Sequence, residues 1–418
     1  MFYTAAEVLP QEDKVSRRLG IIADILFRRS RKDFNIRVGE RELRYTDSPR
    51  FVIIFDSPRT VRRLILRANE YRAAEAFVDK HLDIEGDLIA GLKTKNALIE
   101  RAPTLRLREA QDPVHPAANL SAMFRHTRAK DRRSIAHHYD LSNDFYGLFL
   151  DPQMAYTCAY FPHEEASLED AQRAKFDHIA RKLRLKPYQT LLDIGCGWGS
   201  FVVHACKHYG VTAHGVTLSR QQAEYAQEWI RREGLEDQAL VEYKDYRDLV
   251  GVEQYDRISA IGIIEHVGHR NLARYFEGIH RLLKDNGLFL NHGISRGREW
   301  RPNPGSRWIS DRVFPEGEPP SLSTVITQLE DSRFEVQDVE NLREHYAKTC
   351  AEWVERLRSN RDQCLQHVDE QTYRTWILYL AMSSIYFEEG EIFLYQVLSS
   401  KRMPRFAPVP LTREDLYE

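Results

Sequence analysis

The segment Thr190–Ser200, TLLDIGCGWGS, constrains this chain more than any other. Apolar residues and one acid, Asp193, run into three glycines within five positions. That order reads as a buried parallel strand over 191–194, a tight turn, and a helix from about Ser200 to Tyr209. Gly195, Gly197 and Gly199 let the backbone bend sharply and let a ligand approach without side chains in the way. A helix N-terminus beyond such a turn favours a ligand's polar or negative groups. A dinucleotide site would carry G-x-G-x-x-G with an acid about 20 positions on. Here the spacing differs, and the acid precedes the first glycine. The loop points to a nucleotide-like cofactor of another kind.

The following segments keep a strand–helix alternation. Residues 211–218 read as a second strand, and Ser219 as the N-cap of a helix that runs to about Glu233 and stops at Gly234. Residues 240–243 form a third strand before Asp245-Tyr246. A fourth spans 256–264 and ends at Glu265-His266; a helix over 271–283 and a fifth strand, 288–290, lead to His292. This is the pattern of a doubly wound parallel sheet, whose ligands bind beyond the carboxyl ends of the strands. Asp193, Thr217, Asp245, Glu265 and His292 all fall at or near those ends.

With 418 residues the chain exceeds one ordinary domain. A 42% hydrophobic and 29% charged composition fits a soluble globular protein, and a net charge of −2 makes no demand for nucleic acid. Local charge is less even. Arg125, Arg128, Lys130, Arg132 and Arg133 cluster, and Arg59, Arg62, Arg63, Arg67 and Arg72 lie along one predicted helix. Such stretches are usually solvated faces, but each residue near an anionic lipid surface contributes about 1 kcal/mol. The five cysteines, Cys158, Cys196, Cys206, Cys350 and Cys364, match no zinc spacing. Free thiols in a reducing cytoplasm are the simplest reading. No signal peptide and no run long enough to span a bilayer is visible.

Residues 1–103 read as a small separate α+β domain. Phe34–Val38 and Leu43–Tyr45 form hairpin strands around Gly39, Phe51–Phe55 another strand, and Ser57-Pro58 opens one helix bearing Val61, Leu64, Ile65, Ala68, Tyr71 and Ala74. Residues 104–120 form a proline-marked linker, and 121–418 the catalytic domain, which ends in helical segments over 343–359 and 371–399.

HHYDLSNDFYGLFLD (137–151), MAYTCAYF (154–161), LLDIGCGWGS (191–200), GVTLSRQQ (215–222), IGIIEHVGHRN (261–271), NHGIS (291–295) and NLREHYAKT (341–349) occur in this order. Together they resemble the cyclopropane-fatty-acyl-phospholipid synthases and the related mycolic acid cyclopropane synthases. The resemblance is strong over about 130–400, and residues 1–103 resemble the lipid-interaction domain of the phospholipid enzymes. It implies a seven-stranded class I methyltransferase sheet with helical insertions. It also implies transfer of a methyl group from S-adenosylmethionine to a cis double bond of a phospholipid acyl chain, leaving a carbocation. Loss of a proton from the new methyl to bound bicarbonate then closes a cyclopropane. Aromatic faces at Tyr139, Phe145, Tyr156, Tyr160 and Phe161 are candidates to stabilise the cation, with core packing the plainer role for at least half of them.

Carried over residue by residue, the bicarbonate ligands are Cys158, Glu265, His292, Ile294 through its backbone, and Tyr346. The cofactor ligands are Tyr139, Tyr156, Thr157, Asp193, Gly195, Cys196, Gly197, Thr217, Leu218, Gln222, Asp245 and Tyr246. No metal is implied. The resemblance further implies a cytoplasmic protein associated peripherally with the inner face of the membrane, and a homodimer.

Three positions depart from the family pattern. Ser383 replaces a cysteine found in some members, Ile264 replaces a residue that is often aromatic, and Asp311-Arg312-Val313-Phe314-Pro315 replaces KYIFP. The last two changes keep open a methyl or methylene transfer without ring closure. A non-catalytic lipid- or S-adenosylmethionine-binding protein is the reading of a different class, and a small-molecule methyltransferase is compatible with the fold.

Overall fold

The computed structural model describes residues 33–66, 69–99, 141–315, 317–404 and 408–417. Two compact units emerge. One gathers residues 1–118, 301–313 and 369–385; the other holds 119–300, 314–368 and 386–418.

In the first unit, four strands order as β2-β1-β3-β4: β1 Phe34–Val38, β2 Arg41–Leu43, β3 Phe51–Phe55 and β4 Leu82–Gly86. The β1–β2 hairpin turns at Gly39 (φ 58°), and β3 pairs parallel to β1. Phe34, Ile36, Val38, Phe51, Ile53 and Val61 form the core beneath. The single helix expected after Ser57 is two helices, Pro58–Leu66 and Glu70–Val78. The second starts afresh because the Asn69 side chain caps it, accepting from Arg72 N at 2.8 Å. The expected arginine stripe therefore falls on two helices, with Arg67 outside the described residues.

Segments from far along the chain complete this unit. Trp308 donates to Glu75 at 2.7 Å, Arg312 pairs with the same carboxylate, and Tyr71 donates to Asp311 at 3.1 Å. Two of the three altered residues, Asp311 and Arg312, thus hold the Glu70–Val78 helix. Ser383 is buried in this unit.

The second unit is built on a seven-stranded sheet ordered β10-β11-β9-β8-β5-β6-β7. Its strands are β5 Thr190–Ile194, β6 Thr212–Thr217, β7 Ala239–Tyr243, β8 Tyr255–Ile261, β9 Leu283–Arg296, β10 Phe334–Asn341 and β11 Ile392–Lys401. Strands β5 to β9 run parallel, and β11 lies antiparallel between β9 and β10. The chain leaves β5 for β6 on one side while β8 lies on the other. The glycine loop thus sits at the point where strand order reverses, where such sheets bind ligands.

Three strand expectations change. The segment expected to stay helical to Ser399 is helix only over Glu370–Glu389; Gly390 at φ 75° ends it, and β11 follows. A continuous apolar run fits a buried strand as well as a helix, so periodicity alone does not separate them. Strand β8 stops at Ile261, where Gly262 turns at φ 73°, and Glu265 rides on a short helix, Ile264–Val267. Strand β9 is far longer than expected because β11 pairs along it from Leu288 to Arg296. His292 therefore lies inside β9, although pairing with Ile261 keeps it level with the end of β8.

Candidate active site

The glycine loop is fixed from below. Gly195 and Cys196 both donate their N–H to Val216 O, at 2.8 and 3.1 Å, which ties the turn to β6. Gly195, Gly197 and Gly199 have φ of 71°, 55° and 85°, a region that favours glycine. Their reasons differ. A Cβ at Gly195 would collide with Ile263, and one at Gly199 would come within 2.9 Å of Ala226 Cβ. At Gly197 no atom of the described residues lies within 4 Å of a Cβ built there. Cys196 is buried against Gly215, where a Cβ would lie 2.8 Å from its Sγ. Asp193 is turned into the sheet and accepts the Ser259 hydroxyl at 2.7 Å. Burial raises its carboxyl to about 7.

Beyond β6, the Thr217 hydroxyl donates to Gln222 Oε1 at 2.8 Å and accepts from Ser219 N, with Leu218 half-buried between them. Beyond β7, Asp245 is fully engaged by Arg247, whose Nε and Nη2 lie 2.9 and 2.7 Å away. Asp245 also caps the turn that carries Tyr246. The Tyr246 ring meets Tyr275 edge-on at 5.4 Å, and both line a cleft of about 320 Å³ with Ile194, Asn271 and Arg274. Asp245 is thus the brace of this wall.

A second group gathers around Gly262 and Gly293. Glu265 is buried and accepts from the Ile294 backbone. Cβ atoms built at Gly293 and Gly262 would lie 3.2 Å from Glu265 Oε2 and 3.9 Å from its Oε1. The same Gly262 Cβ would touch Thr157 Cγ2 at 3.4 Å, which brings the Tyr156-Thr157-Cys158 segment to Glu265. Burial pushes the Glu265 carboxyl up to about 7, and its Oε2 has no partner among the described residues. His292 is 1% exposed. Its Nδ1 faces the Gln396 amide nitrogen at 3.1 Å, so Nε2 carries the proton, and Nε2 too has no partner among the described residues. Burial, and then the charges of Lys175 and Lys182, depress its imidazole to about 3, so it stays neutral.

Cys158 is fully buried, with its thiol on Ala159 O at 3.2 Å and Leu342 O at 3.8 Å. Burial pushes that thiol far up, out of thiolate range. Leu342 O also accepts from Tyr346 N, so the two residues meet at one carbonyl. The Tyr346 ring stacks on Phe387 at 4.5 Å. Tyr156 packs among Tyr146, Phe149 and Trp353 at 5.1–6.1 Å. Phe145 lies in the aromatic core with Tyr146 and Phe149, and Tyr160 is sandwiched between His178 and His345 at 4.3 and 4.9 Å. Tyr139 and the Arg125–Arg133 cluster lie outside the described residues.

Sequence reasoning missed one face of the Leu168–Lys182 helix. Gln172, Lys175, His178 and Lys182 all point inward and are at most 1% exposed. Gln172 donates to Ala155 O and Thr157 O at 3.2 and 2.9 Å, and Lys175 Nζ donates to Thr157 Oγ1 at 2.8 Å. His178 and Lys182 both reach Glu340, at 2.7 and 2.6 Å. The only trace in the sequence is polar residues recurring at helical spacing beside Phe176 and Ile179, a pattern that ordinarily marks a solvated face.

The sheet order and the glycine loop at its reversal define this unit as a class I S-adenosylmethionine-dependent methyltransferase fold. Residues 126–397 match the mycolic acid cyclopropane synthetase family, and the chain belongs to it. The chain is 37% identical over 374 residues to a probable fatty acid methyltransferase of Pseudomonas putida, covering 88% of this chain and 92% of that protein. It is 39% identical over 265 residues to the cyclopropane-fatty-acyl-phospholipid synthase of Escherichia coli strain K12, covering 63% and 66%. Among solved structures, mycolic acid cyclopropane synthase CmaA1 complexed with SAH and CTAB superposes with a TM-score of 0.61 at 35% identity, covering 65% of this chain and 98% of that one. All five cysteines are free and buried. Among the described residues no helix is long and apolar enough to cross a membrane, and no cluster of histidine, cysteine and carboxylate side chains is arranged to hold a metal ion.

Proposed function

We propose that this protein cyclopropanates cis double bonds in phospholipid acyl chains, with S-adenosylmethionine as methyl donor and bicarbonate as base. One observation carries the reading. Among the described residues two buried polar atoms, Glu265 Oε2 and His292 Nε2, have no partner, and Glu265 accepts from the backbone of Ile294, two residues beyond His292 on β9. Buried polar groups are almost always paired, so such orphans are what a small polar ligand would satisfy. A protonated Glu265 carboxyl and a neutral His292 N–H are donors, which suits an anion. Cys158 is too deeply buried and too weakly acidic to act as a nucleophile; it packs the site.

The cofactor fits the other half. Gly197 leaves open space where a side chain would intrude, and Tyr246 with Tyr275 forms a ring-lined cleft for an adenine. Thr157, Gln222 and the loop amides of Gly195–Gly197 would bind its polar end, with Tyr139, Tyr156, Thr217 and Leu218 completing the set. Bound there, S-adenosylmethionine supplies a methyl on a cationic sulfur, and bicarbonate a weak base. The chain's own part is to orient both, to share a proton at Glu265 Oε2, and to exclude water that would trap a carbocation. Residues 1–103 and the basic segment 125–133 are proposed to meet anionic headgroups, placing the protein peripherally on the inner membrane face, as a homodimer.

The likeness to a named fatty acid methyltransferase over most of both chains favours a second reading, methyl transfer without ring closure. Aliphatic, buried Ile264, packed beside Glu265, is consistent with it. Purified protein incubated with S-adenosylmethionine and cis-unsaturated phospholipid vesicles, with and without bicarbonate, separates the two. A gain of one CH2 with upfield ring protons supports cyclopropanation. The same mass with vinylic protons supports methylene transfer, and no lipid product from cofactor-bound protein refutes both.

A further inference from the structure

A lysine ammonium is rarely buried, because leaving water costs it several kcal/mol unless partners compensate. Lys175 is 1% exposed, and its one hydrogen bond among the described residues goes to Thr157 Oγ1, at 2.8 Å. The nearest acids are already occupied. Asp151 accepts from the Gln153 and Ala155 amides, and Asp193 from Ser259. Among the described residues two ammonium protons therefore have no acceptor, and the Thr157 hydroxyl, which accepts from Lys175, keeps its own proton to donate. Gln172, one turn earlier on the same helix, clamps the carbonyls of Ala155 and Thr157 and fixes where the hydroxyl sits.

We propose that Lys175 is a positioning residue that turns the Thr157 hydroxyl into an oriented donor and supplies the positive charge that holds the α-carboxylate of the cofactor's amino-acid portion. A hydroxyl that accepts from an ammonium has its own proton directed away from it, and its donor strength rises with the charge behind it. The Thr157 methyl packs against the Gly262 turn, 3.4 Å from a Cβ built there and on the same turn as Glu265, which places Thr157 beside the ends of the strands. The inference rests on the methyltransferase reading but goes beyond it, since it assigns an anchor to one end of the cofactor.

The groups facing Lys175 are Asp151 after the Asn143–Gly147 helix, Cys158 beside Thr157, Asp193 on β5 and His292 on β9, with the Phe176 ring 4.1 Å away on its own helix. Burial lowers the ammonium to about 8, against the partial support of Asp151, Cys158 and Asp193. Its charge is therefore present at neutral pH and lost in mildly alkaline solution.

The test compares two ligands by calorimetry on the full-length chain: S-adenosylhomocysteine, and 5′-methylthioadenosine, which has the same nucleoside thioether without the carboxylate. Lys175→Met should weaken S-adenosylhomocysteine about 10- to 100-fold and leave methylthioadenosine unchanged. Lys175→Arg should recover part of the loss. In the native protein, affinity for S-adenosylhomocysteine should fall as pH rises past about 8, and that dependence should vanish in Lys175→Met. Equal weakening of both ligands, or of neither, overturns the inference. So does unchanged S-adenosylhomocysteine affinity with a raised bicarbonate requirement, which would place the anion beside Glu265. Native protein that binds neither ligand refutes the methyltransferase reading itself.

Discussion

Gly195 and Gly197 stand two residues apart, both with positive φ, yet alanine at each should fail for a different reason. At Gly195 the new methyl collides with Ile263, with its Cγ1 at 2.7 Å, and Ile263 leads into the helix that carries Glu265. The left-handed backbone costs an alanine about 1–2 kcal/mol, and overpacking adds about 1–3 kcal/mol. Gly195→Ala should thus destabilise the second unit by about 2–5 kcal/mol. At Gly197 no described residue lies within 4 Å of the new methyl, so only the backbone cost of about 1–2 kcal/mol applies. The Gly197 methyl would instead occupy space assigned to the cofactor. Denaturant unfolding followed by circular dichroism should rank the variants wild type, Gly197→Ala, Gly195→Ala in falling stability. Calorimetry with S-adenosylhomocysteine should find Gly197→Ala weakened at least about tenfold while still folded. Equal stability losses, or native affinity in Gly197→Ala, would refute the division of labour drawn for the loop.

Glu265→Gln keeps the size of the side chain and its acceptor for the Ile294 N–H but removes the titrating proton. It should lower turnover about 10²- to 10⁴-fold and leave S-adenosylhomocysteine affinity within about twofold; native turnover would remove Glu265 from the site. Because burial raises Glu265 to about 7, the bicarbonate needed for half-maximal rate should climb above that pH as the carboxyl ionises and repels the anion. A flat profile counts against the anion site. Glu340 responds oppositely: burial pushes its carboxyl up, but the hydrogen bond from His178 and the charge of Lys182 outweigh this and hold it at about 2. Its folded value lies below its unfolded one, so its stabilisation is present above the ordinary carboxylate range and lost as pH falls towards 2. Glu340→Gln should be less stable at neutral pH and show a shallower loss of stability between pH 4.5 and 2, read from unfolding midpoints.

The local order of TLLDIGCGWGS determined the strand, the turn and the helix almost to the residue, because glycine spacing and apolar runs act over a few positions. Ser219 was legible as a cap for the same reason: its side chain reaches only its own helix. Residues 392–401 were not, since an apolar run becomes strand or helix according to what pairs with it, and its partners β9 and β10 lie far away in sequence, Leu288 opposite Ser400 at one end. The candidate site divides along the same line. Strand spacing put Glu265 and His292 near the strand ends, and the family resemblance named them with Tyr346 as candidates for the chemistry. Only the tertiary structure decided that Asp245 is spent on Arg247, that Asp193 faces Ser259, and that His292 lies inside a strand with its tautomer set by Gln396. Lys175 is the sharpest case. In the sequence it is one of many lysines; buried behind Thr157 it becomes a charge with an assigned direction, because burial and hydrogen-bond partners belong to the fold and not to the residue.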